Sequence, residues 1–228
     1  MSLFSYDSPI AYAISKATDY VLINIMWLVC SIPVITIGAS FTARNYAAMK
    51  LARGEEESVF KTFFRSFKQN FKQSTIVWLL ELVVIAFFYV DWKLMLATEL
   101  TQTNLIFRIA LFAVTLFVAA SCVSVFAFIA RFEMTIREYI KASFVLSFIK
   151  FPRMVLALIL MAAPVILSYA YFKWLPAVLV VIPALELYYN SRMYVKVFSR
   201  LEPEKAPITP DEEFHIELEE MSEESSGE

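Results

Sequence analysis

One uninterrupted apolar segment constrains this chain more than any other feature. Leu105–Ala130 is 26 residues long, carries a single charge at Arg108, and contains neither Gly nor Pro. As a helix rising about 1.5 Å per residue, it would exceed the roughly 30 Å hydrocarbon thickness of a bilayer. A soluble domain of 228 residues has no core deep enough to surround such a helix. The sequence therefore predicts an all-α membrane protein.

Four other segments are long and apolar enough to be predicted as spans. They are 20–39, 75–97, 155–172 and 174–194, and with 105–130 they predict about five transmembrane helices. Residues 1–200 are predicted to form this helical membrane domain. Residues 201–228 are predicted to be a disordered acidic tail, because eleven Asp or Glu and one Lys follow from Glu202 onward.

The distribution of basic residues predicts an orientation. Seven Lys or Arg lie between the first two predicted spans and five between the third and fourth, whereas 98–104 has none. Because basic loops stay in the cytoplasm, the N-terminus is predicted outside and the C-terminus inside. Helices are predicted in both basic segments, over 57–73 and 135–151.

The first of these helices, 57–73, combines an aromatic stripe with a basic one. At 100° per residue its five phenylalanines occupy an arc of about 100°, and four cations lie alongside them. Two interpretations stay open: a helix lying at the interface with its cations on anionic lipid headgroups, or a docking helix for a partner or a neighbouring span. The aromatic positions are Phe60, Phe63, Phe64, Phe67 and Phe71, and the basic ones are Lys61, Arg65, Lys68 and Lys72.

Polar and helix-kinking residues inside the predicted spans are the other candidate functional positions. Proline removes a backbone donor, so Pro33 predicts either a kinked or a re-entrant first span. A carboxyl inside a span is expensive unless it is neutral, paired or hydrated, and it predicts either helix-to-helix pairing or a substrate or ion site. Arg44, Arg131 and Arg192 are the possible partners near the inner surface. The candidate positions are Asn24, Pro33, Thr36, Glu81, Pro183 and Glu186.

The chain offers little of what enzymes require. The only histidine, His215, lies in the acidic tail, and the three glycines form no phosphate-binding motif. A Cys/His zinc site or a His-based triad is therefore not expected in the membrane body. We expect no enzymatic activity, no metal, no cofactor and no nucleic-acid partner.

Two segments resemble a known family. The first is DYVLINIMWLVCSIPVITIGAS from Asp19, and the second is the stretch from Gly54-Glu55 to Gln73 that includes FKQNFKQ. In these segments the chain resembles the YesL family, also called domain of unknown function 624. The resemblance implies a small multi-pass protein of the bacterial cell membrane, often encoded beside carbohydrate ABC transporter genes. It implies no mechanism and no catalytic residue.

Two functions are predicted as alternatives. The first is an integral membrane accessory or scaffold protein of carbohydrate uptake, which contacts ABC transporter subunits or further copies of itself. The second is a transporter or channel subunit that itself conducts a small solute, supported by the proline positions and by Glu81 and Glu186.

Overall fold

The computed structural model describes residues 9–55, 58–97, 104–170 and 175–201, except for the side chains at 9–11, 13, 97, 104, 164–170 and 175–180. Within these ranges the chain is all helical, as predicted. The helices are α1 (Pro9–Cys30), α2 (Ile37–Arg53), α3 (Val59–Ala97), α4 (Asn104–Ile129), α5 (Ile136–Ile149), α6 (Phe151–Ala170) and α7 (Leu175–Phe198).

α1 and α2 form an antiparallel hairpin joined by a short 3-10 turn, Val34–Thr36. At one end of the hairpin Lys16 Nζ lies 3.5 Å from the carbonyl oxygen of Leu51. Nearer the turn, the ring centroids of Trp27 and Phe41 are 5.5 Å apart. α1 and α2 therefore run in opposite directions.

This hairpin corrects the first predicted span. Residues 20–39 were expected to form one crossing helix, but the helix ends at Cys30 and the chain turns back at Pro33, where the backbone is extended (φ −74°, ψ 120°). The start of α1 and the end of α2 consequently lie at the same end of the bundle. The predicted kinked-or-re-entrant ambiguity at Pro33 is resolved as a full reversal of direction, because proline cannot supply the N–H that would continue the helix.

α2 packs closely on α3. A Cβ atom added at Gly38 would lie 2.5 Å from the carbonyl oxygen of Ser74 and 2.7 Å from Cβ of Trp78. Beside this contact, the hydroxyls of Thr42 and Ser74 share a buried hydrogen bond of 2.7 Å. Small and hydroxyl-bearing residues let two helix backbones approach in this way.

The turn between α2 and α3 begins at Gly54, whose positive φ of 78° ends α2 in the left-handed conformation. α3 then continues without a break from Val59 to Ala97. The predicted cytoplasmic helix, 57–73, and the predicted second span, 75–97, are therefore one helix of 39 residues, about 58 Å long.

α4 agrees with the predicted span 105–130, and α5 with the predicted helix 135–151. α5 begins at a capping box, in which the Thr135 N–H donates to the Glu138 carboxylate at 2.8 Å. α4 packs on α5 through Ser124, whose hydroxyl lies 3.2 Å from that of Ser147.

The number of candidate crossings is smaller than predicted. In the described ranges, Val59–Leu96 and Leu105–Ile129 are each long and apolar enough to cross a bilayer. Ile136–Ile149 and Phe151–Ala163 qualify only together, as a pair bent by 99°. The described residues thus support two or three crossings, and the predicted number of five is wrong for them.

The last two predicted spans and the predicted acidic tail fall partly or wholly outside the described residues. The predicted spans 155–172 and 174–194 coincide with parts of α6 and α7, but both include residues whose side chains are not described. The described part of the second compact unit, Lys196–Leu201, contains the end of α7 and a turn. The predicted acidic tail continues from there into residues that lie outside the description.

Candidate functional site

A buried ion pair links α2 to α7. Arg44 Nη2 lies 2.5 Å from Oε2 of Glu186, and the two residues are 1% and 2% exposed. Arg44 was considered from the sequence only as one of three possible partners for the intramembrane carboxyls. The structure pairs Arg44 with Glu186, which lies four residues before Asn190 in α7.

Further polar groups complete this ion pair. The Arg44 Nη2 also donates to the carbonyl oxygen of Pro183 at 2.8 Å, and the Asn190 amide donates to Oε1 of Glu186. Pro183 lies inside α7, so the candidate positions Pro183 and Glu186 belong to a single polar cluster. Both carboxylate oxygens of Glu186 therefore accept a hydrogen bond, as a buried charge requires, whereas Arg44 Nε is buried without a partner among the described residues.

Aromatic rings cover the guanidinium of Arg44. Its Cζ lies 4.8 Å from the ring centroid of Trp27 and 5.4 Å from that of Phe41. These distances are typical of cation–π contacts. The cluster therefore fastens α1, α2 and α7 together, and its geometry fits a structural role.

Two other candidate positions, Pro33 and Thr36, lie at the hairpin turn and not in this cluster. Asn24 is fully buried in α1. Thr36 lies in the hairpin turn, where its hydroxyl is 2.6 Å from the carbonyl oxygen of Cys30 and 2.7 Å from that of Pro33. The Thr36 hydroxyl has one hydrogen to donate to either carbonyl, and the carbonyl oxygen of Pro33 also accepts the Thr36 backbone N–H at 3.0 Å.

Glu81 has a different environment. It lies in α3, is 8% exposed, and lines a cavity of about 400 Å³ between α3 and α4. Its carboxyl accepts no hydrogen bond and joins no salt bridge among the described residues. The cavity wall around it is apolar and aromatic, with Trp27, Phe41, Trp78, Phe88 and Phe126 among its members. We call this space the acidic cavity.

The predicted aromatic stripe of α3 is partly buried. Phe63 is fully buried, whereas Phe60 is 56% exposed, and Phe64 and Phe71 are also exposed. Neighbouring rings contact one another in an unbroken row from Phe60 to Phe71, with centroid distances of 4.7–6.4 Å. We call this row the aromatic ridge. The four basic positions, Lys61, Arg65, Lys68 and Lys72, are all exposed.

α3 also carries a feature that the sequence analysis missed. Three hydroxyl-bearing residues, Thr62, Ser66 and Ser74, are buried along it. Their spacing of four and eight residues, combined with Gly38 and the small residues of α2, was the available signal for a close helix contact.

Another cavity, of about 710 Å³ and with a polar wall, lies near the junction of α4 and α5. On its wall, Gln73 donates to the carbonyl oxygen of Met134 at 3.0 Å. No group of three His, Cys, Asp or Glu side chains is placed to hold a metal ion in the ranges described.

The comparisons with known proteins agree with the resemblance drawn from the sequence. A family model described as "Protein of unknown function, DUF624" matches residues 20–92. The match begins in α1 and ends in α3, so it contains the hairpin, the aromatic ridge and Glu81.

A relative within the curated proteins extends the similarity. The chain is 27% identical over 147 residues to the "Uncharacterized protein YesL" of Bacillus subtilis (strain 168), which covers 63% of this chain and 67% of that protein. The predicted resemblance to the YesL family is confirmed. No solved structure matches the chain.

Proposed function

We propose that this YesL-family chain is a non-enzymatic membrane accessory or scaffold protein that docks a cytoplasmic or membrane partner on the aromatic ridge. The observation that carries the proposal is the continuity of α3. The helix has 39 residues, about 58 Å, whereas a bilayer core requires only about 30 Å. Its first half therefore extends beyond the hydrocarbon when its second half crosses.

The continuity of α3 also favours the docking interpretation of the aromatic ridge over that of a helix lying at the interface. α3 contains neither Gly nor Pro, and such helices curve only gently. The first half of α3 therefore does not lie flat at the interface while the second half crosses the bilayer. Phe60 is 15 positions before Thr75, which places it about 22 Å along the helix from the predicted start of the crossing. Exposed rings at that distance favour a protein partner, while Lys72, closer to the crossing, remains within reach of anionic headgroups.

We also propose a membrane arrangement that differs from the sequence-based orientation. The basic ends of α2 and α3 lie in the bacterial cytoplasm, following the positive-inside rule. Because α1 and α2 are antiparallel, the start of α1 lies on the same side as the end of α2. The hairpin then enters the inner leaflet from the cytoplasm and leads with its apolar turn, where Ile32, Val34 and Ile35 are exposed.

Cysteine accessibility tests this arrangement. In a chain with Cys30 and Cys122 replaced by Ala, we place single cysteines at Tyr12 and at Glu55, both exposed. A membrane-impermeant thiol reagent should label both in inside-out vesicles and neither in intact cells. Labelling of position 12 from outside would refute the hairpin and restore the predicted external N-terminus.

The class of partner comes from the resemblance, since YesL-family genes often neighbour carbohydrate ABC transporter genes. A photo-crosslinking residue at position 60 should form an adduct with a transporter subunit in native membranes. The matched control is the same residue at Phe87, which is exposed in the second half of α3. Adducts with lipid alone at both positions would argue against docking, and an adduct with a second copy of this chain would identify self-association instead.

The acidic cavity supports the second candidate, a subunit that conducts a solute. In this case Glu81→Gln should alter flux of that solute into liposomes that contain only the purified chain. Unchanged flux for the candidate sugars and cations would remove the support for conduction. We rank the accessory role above conduction. The exposed rings of the aromatic ridge lie outside the hydrocarbon and call for a protein partner, whereas the acidic cavity calls only for a bound ligand and not for a conduction path.

A further inference from the structure

The carboxyl of Glu81 lies between two cavities. The acidic cavity of about 400 Å³ opens on one side of it, and a smaller one of about 120 Å³ lies on the other. Glu81, Val84, Val118 and Cys122 line both. The only acidic group of either wall is therefore placed at the junction of two spaces that are otherwise almost entirely apolar.

Two helices independently give similar depths for this carboxyl. Glu81 is six positions after Thr75 in α3, and its neighbour Cys122 is seven positions before the end of α4. At about 1.5 Å per residue, both counts place it about 10 Å inside the cytoplasmic boundary of the crossing. A ligand would meet the carboxyl at the inner end of a cavity that extends towards Thr115 and Met161.

The cavity is accessible from the lipid. Val84 and Ile85, both on its wall, are exposed on the surface of α3. Trp78 is held in place on the opposite side, where its Nε1 donates to the carbonyl oxygen of Val34 in the hairpin turn at 2.8 Å. The opening therefore faces hydrocarbon, and the wall behind it is fixed.

We propose that the acidic cavity binds a lipophilic organic cation, with its charge beside the Glu81 carboxylate and its apolar body among the aromatic rings. A carboxylate in apolar surroundings is stabilised by an opposite charge, and Glu81 has no such charge among its described neighbours. Aromatic faces add cation–π attraction. The volume lies at the small end of the range for small-molecule pockets.

The charges nearby favour a cation over an anion. Among the described residues, no Lys or Arg lines the cavity, and Arg44, which packs against the wall rings of Trp27 and Phe41, is neutralised by Glu186 at 2.5 Å. It therefore opposes a second cation weakly. This binding does not depend on the docking role of the aromatic ridge.

Equilibrium binding of tetraphenylphosphonium to the purified full-length chain tests the proposal, with tetraphenylborate as the anion of matched shape. Both ions partition into micelles, so the decisive comparison is between variants. Glu81→Gln should weaken saturable phosphonium binding by about tenfold or more, equivalent to at least ~1.4 kcal/mol. Borate binding should not weaken. The matched control is Asp91→Asn, which removes a carboxylate from the same helix outside the cavity and should leave phosphonium binding unchanged.

A second measurement uses the unmutated chain, in case Glu81→Gln fails to fold. Dicyclohexylcarbodiimide modifies carboxyl groups in apolar surroundings, and peptide mass spectrometry reports the extent of modification at each carboxyl. Phosphonium should slow modification of Glu81, and borate should not. Equal phosphonium binding by the unmutated chain and Glu81→Gln, the absence of a saturable site, or equal protection by both ions would each overturn the proposal.

Discussion

Two carboxyls in this molecule are almost equally buried and yet differ in every other respect. Glu186 in α7 contacts the guanidinium of Arg44 and the amide of Asn190. Glu81 in α3 faces a cavity and has no hydrogen-bond partner among the described residues, although it is only 8% exposed. Burial alone therefore does not indicate what an intramembrane carboxyl does. Its partners separate a group that fastens helices from one that is available to a ligand.

The largest expected effect comes from breaking the paired carboxyl. Arg44→Met leaves Glu186 buried without its cation, and we expect a loss of about 3–5 kcal/mol in the free energy of unfolding. Reversible unfolding in mild detergent measures it. The double variant Arg44→Met with Glu186→Leu should recover most of the loss, because neither charge then remains. A double variant as unstable as the single one would show that the pair itself, and not an orphaned charge, provides the stability.

The second effect concerns the close contact between α2, which carries Arg44, and α3, which carries Glu81. Gly38→Ala places a Cβ against the backbone of Ser74 and Cβ of Trp78, at 2.5 and 2.7 Å. Overpacking of this kind typically costs about 1–3 kcal/mol. Because Trp78 also lines the acidic cavity, the variant should lower both thermal stability and phosphonium binding. Ala39→Gly, at the adjacent buried position, adds no atoms but costs about 1 kcal/mol as a helix-interior glycine, so only a larger loss for Gly38→Ala indicates overpacking.

A smaller effect is expected at the unpaired carboxyl. Glu81→Gln removes no described hydrogen bond or ion pair, so stability should change by less than about 1 kcal/mol, within the range of substitutions that break no specific interaction. The same unfolding assay measures it beside Glu186→Gln, which should cost more because it weakens the contact with Arg44. Equal losses for the two variants would erase the comparison between the carboxyls.

The smallest effect is expected at Glu138, an exposed carboxyl that serves as a reference for the two buried ones. The Thr135 backbone N–H and then its hydroxyl bond Glu138, and they hold the pKa of this exposed carboxyl below its ordinary value of 4.5. A carboxyl with a lowered pKa stabilises the fold above pH 4.5, and that contribution is lost as pH falls through its folded pKa. We expect a carbon-13 NMR titration of Glu138 with a midpoint under 4.5, accompanied by fraying at the start of α5. Thr135→Ala should return the midpoint towards 4.5.

The sequence predicted the elements that depend on local signals. The bounds of α4 followed from an unbroken apolar run, and α5 was expected in the basic segment that follows it. These signals lie within one segment of chain. They require no knowledge of what packs against it.

Features that depend on distant residues were harder to predict. Pro33 indicates a break, but it takes the contacts of Lys16 with Leu51 and of Trp27 with Phe41 to show that the chain reverses there. Ser66 is indistinguishable in sequence from a solvated serine until α2 packs against it. The pairing of Glu186 with Arg44 spans 142 positions, and periodicity cannot select Arg44 from three arginines. The sequence likewise could not distinguish the two carboxyls, because both were simply acids within apolar segments.

The hairpin of α1 and α2 has a consequence for biogenesis. In the proposed arrangement, the start of α1 never crosses the hydrocarbon, since α1 begins and α2 ends on the side where the ribosome is. The insertion machinery then needs to translocate only an apolar tip. Insertion of this segment is accordingly expected to wait until α2, and the α3 surface that receives Gly38, have been synthesised.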